Sequence, residues 1–168
     1  DYPKIDPNFL FVNEGYNLRL TEPQAKMGMT QIKKLDSFVK KRRKNANQLM
    51  NLMKEFNNFF IYQYEKKESF HSWFGFTVII KDIKVIDRSK LCNFLNKNKI
   101  ETRVIVSGNF VSQPVVRTFK HRVVGNLTNA SKIMTNGFSI GIHQNLSNNQ
   151  IKYIYHVFKK YLKREHLL

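Results

Sequence analysis

The run at residues 72–80, Ser-Trp-Phe-Gly-Phe-Thr-Val-Ile-Ile, is the feature that most narrows the folds open to this chain. It is aromatic and β-branched, as a half-buried or buried strand must be. Asp87 then stands where it can cap a helix over about 88–98, with Leu91, Phe94 and Leu95 turned inward. Residues 100–106, Ile-Glu-Thr-Arg-Val-Ile-Val, read as a second strand. The apolar period therefore switches from two to 3.6 and back within one stretch, which is strand–helix–strand. An all-helical bundle and an all-β sandwich are both excluded.

The flanking segments fit a mixed α/β domain. Thr21 starts a helix to about Leu35, with Ala25, Met29, Ile32 and Leu35 as its apolar stripe. Asp36 can cap a second helix over about 37–56, where Val39, Ala46, Leu49, Met50, Met53 and Phe56 recur at helical spacing. Residues 59–62 form a possible short strand and 137–143 a third main strand. A helical turn is expected at 132–136. Ser147 with Gln150 makes a capping box for a last helix to about Arg164. The architecture expected is a small sheet of about three strands packed with helices and preceded by two consecutive helices. Residues 107–130 are the least regular part, and a long loop in a compact domain is usually functional.

A second informative run is Gly-Tyr-Asn-Leu-Arg-Leu-Thr-Glu-Pro-Gln-Ala at 15–25. Thr21 and Gln24 form a capping box, and Pro23 falls in the first helical turn, where its missing N–H costs nothing. Tyr16, Asn17 and Arg19 thus sit on a short loop braced by a helix, a geometry that suits an anion. An ordinary loop-to-helix junction has the same spacing.

These residues carry a resemblance. The 15–25 run, followed by Met29-Thr30-Gln31-Ile32 and Lys41-Arg42-Arg43-Lys44-Asn45-Ala46, resembles the C-terminal region of the DegT/DnrJ/StrS family of nucleotide-sugar enzymes. The likeness continues through Ser72-Trp73-Phe74-Gly75-Phe76, Glu101-Thr102-Arg103, Gly108-Asn109-Phe110, Gln113-Pro114 and Ile140-Gly141-Ile142. Within the family it looks most like the 4-keto-6-deoxyhexose 3-dehydrases. The resemblance implies the aspartate-aminotransferase fold, pyridoxal phosphate or pyridoxamine phosphate as cofactor, and a homodimer with shared active sites. It makes residues 1–20 the end of a large domain with its active-site loop, and 21–168 the small C-terminal domain.

By the same resemblance, Asn17 and Tyr16 contact the cofactor phosphate held by a partner subunit. Arg19 meets a carboxylate co-substrate or a phosphate. Arg103 and Asn109 lie near the sugar pocket. Arg103 has a plainer alternative, ending a strand and capping a neighbouring helix. Trp73 either stacks on substrate or fills the core. Pro23, Lys26, Ser139 and His143-Gln144-Asn145 depart from the family pattern and bear on substrate identity. The aspartate and the lysine or histidine that would do the chemistry are expected in a large domain outside these residues, so this segment alone should be inactive. The chain does not begin with Met, and a processed, truncated or partial chain is expected.

Charge supplies the competing reading. The net charge is +17, and Lys40-Lys41-Arg42-Arg43-Lys44 is the one dense basic run. That run lies on a helix with an apolar opposite face, so a solvated face accounts for it. The alternative is a stand-alone basic module for nucleic acid or another anionic partner, and a fragment that dimerises with a full-length enzyme is a third possibility. Cys92, the single cysteine, allows no internal disulfide and fits a reducing cytoplasm and a buried structural thiol. His71, His121, His143, His156 and His166 are scattered and form no metal set. No apolar run is long enough to span a membrane.

Overall fold

The computed structural model describes residues 19–106, 108–113, 116, 118 and 120–168. They fall into two compact units, one up to Leu35 and one from Asp36 to Leu168.

In the first unit, helix α1 spans Glu22–Ile32. The Thr21 N–H donates to Gln24 Oε1 at 3.0 Å, so the Gln24 arm of the capping box forms. No residue of α1 is buried. Its apolar stripe is open to solvent, with Met29 58% and Ile32 69% exposed.

The second unit begins with α2, Leu35–Met53, which tightens into a 3-10 turn at Lys54–Phe56. Asp36 sits inside the first turn of α2 and does not cap it. An acidic residue in the first turn is still favoured there by the positive end of the helix dipole. Four strands follow: β1 Phe60–Tyr62, β2 Gly75–Ile80, β3 Thr102–Arg103 and β4 Gly137–Gly141. Between them lie α3 Arg88–Lys97 and α4 Thr128–Asn136, and α5 Asn148–Arg164 closes the chain. Asp87 Oδ1 accepts from the Lys90 N–H at 2.9 Å, the expected cap. Ser147 and Gln150 form both arms of their box, at 3.3 and 2.8 Å.

The sheet order is β1-β2-β4-β3, and every neighbouring pair is antiparallel. So β2 and β3, joined through α3, run parallel with β4 between them. The strand–helix–strand unit is split by a strand that arrives later in the chain. The even positions of β2, Phe76, Val78 and Ile80, are fully buried. They pack with Phe138 and Ile140 of β4 and Ile151, Phe158 and Leu162 of α5 in one core. Phe60 meets Phe158 edge-on at 5.8 Å, and Phe138 stacks on it at 6.4 Å. Removing apolar surface of this kind from water is the main force holding the domain together.

The three main strands are all shorter than their composition predicts, β4 ending at Gly141 and not at 143. β2 starts at Gly75 and not at 72, because Trp73 has a left-handed φ of 53°. β3 stops at Arg103, and Val106 turns with φ 39°. Conversely α4 is nine residues long where a single helical turn is expected. Arg88 closes its far end, with Nη1 donating to Met134 O at 2.9 Å and Gly137 O at 3.2 Å.

Candidate functional site

A cavity of about 560 Å3 opens at one end of the sheet. Gly75 of β2 and Gly141 of β4 are register partners there, so both strands present bare backbone. Ile100, Ile140 and Ile154 give it an apolar lining. Arg103, Lys99 and Glu101 bring charge to its wall, and Phe74 and Tyr153 add two rings.

Arg103 is placed by several local ties. It pairs with Ser139 across β3–β4. The preceding Thr102 N–H donates to Asn96 Oδ1 at 2.9 Å, and Asn96 Nδ2 donates to Thr102 Oγ1 at 3.0 Å. These bonds dock the start of β3 on the end of α3. The Arg103 guanidinium then donates through Nε to Glu101 Oε1 at 2.9 Å, and its Nη2 lies in ion-pair contact with the same oxygen at 2.9 Å. Both side chains are about three-quarters exposed, so the pair adds little stability and leaves donors for an anion. Helix capping, the plainer expectation for Arg103, is done by Arg88 instead.

Asn109 lies elsewhere. It is 6% exposed, and its Nδ2 donates to Ser131 Oγ on α4 at 3.1 Å. It does not line the cavity. Gly108 before it has φ 61°, and a Cβ there would lie 2.5 Å from Met134 Cα. Only glycine lets this loop press so closely on α4. Arg103 and Asn109, adjacent in expectation, therefore serve different surfaces. Arg19 is exposed, two residues ahead of Thr21 in the first unit. Tyr16 and Asn17 lie outside the described residues.

Trp73 is core, 4% exposed and stacked on Phe76 at 6.1 Å. The ring offered to solvent is Phe74, 88% exposed. The left-handed backbone at Trp73, which costs a bulky residue roughly 1–3 kcal/mol, exchanges the two faces. Strict alternation puts Phe74 with Phe76, Val78 and Ile80 on the core side, and the structure turns it out to solvent instead. The signal that was available is Gly75 directly after it.

The basic run is also less uniform than its sequence. Arg43 grips Glu65 with both arms, Nη1 to Oε1 at 2.7 Å and Nη2 to Oε2 at 2.8 Å. It stacks over Phe70 at 4.0 Å. The Arg43 bond, then the His71 N–H, hold the Glu65 carboxyl below its usual range. Cys92 is half-buried, and burial pushes its thiol pKa up, which fits a structural thiol. Among the described residues no cluster of His, Cys, Asp or Glu is fit to hold a metal ion, and no helix is long and apolar enough to cross a membrane.

Residues 4–159 match the DegT/DnrJ/EryC1/StrS aminotransferase family. The chain is 39% identical over 160 residues to the GDP-4-keto-6-deoxy-D-mannose 3-dehydratase of Yersinia pseudotuberculosis, covering 93% of this chain and 40% of that protein. It is 33% identical over 156 residues to the lipopolysaccharide biosynthesis protein RfbH of Salmonella typhimurium, again 93% of this chain but 36% of the relative. A solved structure of the Escherichia coli GDP-4-keto-6-deoxy-D-mannose-3-dehydratase with bound hydrated PLP superposes with a TM-score of 0.80 at 37% identity, over 94% of this chain and 39% of that one. The chain thus spans about two fifths of the length of the relatives it matches. Fold, motifs and similarity along nearly the whole sequence agree, and this chain belongs to the DegT/DnrJ/EryC1/StrS aminotransferase family.

Proposed function

We propose that the chain is the C-terminal segment of a pyridoxal-phosphate-dependent enzyme of deoxysugar and lipopolysaccharide biosynthesis, working on a nucleotide-linked 4-keto-6-deoxyhexose by 3-dehydration or amino transfer. The observation that carries this is the 39% identity to a 3-dehydratase over more than nine-tenths of the chain. Pyridoxal phosphate or pyridoxamine phosphate, held mainly by the large domain, would supply the electron sink for this chemistry. The residues described here fit a supporting part in that chemistry. Arg103 and Lys99 offer cations to a phosphate or carboxylate at the cavity wall. Apolar Ile100, Ile140 and Ile154 keep water from its floor. Asn109 braces the loop after β3 against α4.

On this reading Asn17 and Tyr16 reach the cofactor phosphate of a partner subunit in a cytoplasmic homodimer, and Arg19 meets the carboxylate of the amino donor. The segment alone is inactive. The test is a chimera in which this chain replaces the matching segment of the Yersinia pseudotuberculosis enzyme. Turnover of GDP-4-keto-6-deoxymannose, with KM raised about tenfold by Arg103→Gln, is expected from losing one charge-assisted contact. A folded chimera that neither takes up the cofactor nor turns over would overturn the reading.

A further inference from the structure

Every polar atom of His71 is engaged. Its N–H donates to Glu65 Oε1 at 2.7 Å, and its carbonyl accepts from Arg43 Nη1 at 2.8 Å. Arg43 holds Glu65 in turn, so the His71 backbone is clamped to the middle of α2. The ring Nδ1 accepts from the Trp73 N–H at 2.9 Å. With Nδ1 as acceptor the ring proton is on Nε2, which lies 2.6 Å from Gln63 Nε2, so the contact is a hydrogen bond with the Gln63 amide turned to bring its oxygen to the ring. The Nδ1 bond runs from a side chain to the N–H two residues on, the geometry that Asn and Asp adopt in turns. It closes at the one residue, Trp73, whose φ of 53° drives the indole into the core and leaves Phe74 outside.

Phe74 is 88% exposed at the wall of the cavity, yet it gains nothing for the fold there. It stands on the same cavity as Lys99 and Arg103, whose partner Glu101 also lines the wall, beside the side-chain-free pair Gly75 and Gly141. A bare ring face together with two cations matches a planar base carrying phosphates. We propose that His71 is a positioning residue: through the Trp73 amide it holds the turn that stands Phe74 at the cavity, where the ring stacks on the base of a nucleoside diphosphate. The base-binding half rests on the nucleotide-sugar reading above. The His71 half does not.

The experiment titrates GDP against the whole chain and its variants by calorimetry. Phe74→Ala is expected to raise Kd about tenfold. His71→Leu, which keeps bulk and loses the acceptor, should do the same, and the double variant should be no weaker than either single one. His71→Asn restores an acceptor at the Nδ1 position and should bind within about twofold of wild type. A double variant weakened by the product of the single factors would make His71 a general stabiliser and overturn its positioning role. Absence of GDP binding by the wild-type chain would overturn the nucleotide occupant and, for this cavity, the reading it rests on. The His71 half is then decided by hydrogen exchange at the Trp73 amide. Protection kept in His71→Asn and lost in His71→Leu supports it. Equal protection in all three overturns it.

Discussion

Single residues decide where side chains point here, and single residues were the hardest thing to read. Arg103 was named from resemblance alone, and the structure sets it on the edge strand β3 at the wall of the cavity. Asn109 carries the chemistry of an anion contact, but its amide is used against Ser131. Nothing local in Gly-Asn-Phe tells a ligand-facing loop from one pressed on a helix. The pressing itself can be tested. Gly108 has φ 61°, and a Cβ would meet the Met134 backbone at 2.5 Å. Gly108→Ala should therefore lose ~2 kcal/mol from the left-handed conformation and the displaced helix together. The urea midpoint measures this, and a change below ~0.5 kcal/mol would mean that the loop leaves α4 at little cost.

Elements were legible in proportion to how local their causes are. The helices have caps and spacing written within a few residues, and α3 and α5 start where Asp87 and Ser147 place them. Asp87→Ala should accordingly cost about 1 kcal/mol, read as a lowered melting temperature. Strand order has no such local cause. The insertion of β4 between β2 and β3 follows from contacts between residues more than 30 positions apart, as in Arg103 with Ser139. The tie from α2 to the loop before β2 is equally non-local, and it titrates. Arg43 lowers the Glu65 pKa from its ordinary value of 4.5 in the folded state. The unfolded chain then takes up the proton first, so the contribution is complete above that ordinary value and is lost as pH falls through the lowered one. Glu65→Gln should be less stable than wild type at neutral pH, and the gap should narrow at an acid pH below the ordinary value of 4.5. Melting temperatures at both pH values check the sign, and a gap that widens in acid would contradict it.

Over the whole molecule, net charge and family membership pull toward different partners, and the structure shows how to separate them. A charge of +17 would serve a polyanion well if it were focused on one face. Its densest run is not free, since Arg43 is committed to Glu65, His71 and Phe70, and Arg42 is half-buried. Lys40, Lys41 and Lys44 remain exposed on α2. Phe70, the ring nearest Arg43, is taken up by stacking under its guanidinium. Duplex DNA binding should therefore be electrostatic alone. It should fall by at least about a hundredfold between roughly 50 and 200 mM salt and be blind to sequence. Lys40→Gln with Lys44→Gln should shallow that salt slope while leaving the affinity of the cavity for GDP unchanged, because neither lysine lines it. Filter binding at four salt concentrations, beside the GDP titration, gives both numbers for each variant. Tight, salt-resistant binding to DNA would reverse the assignment and make the basic helix the working surface of this chain. Loss of DNA binding with the GDP response intact would leave the charge as surface composition and the cavity at the end of the sheet as the binding site of this chain.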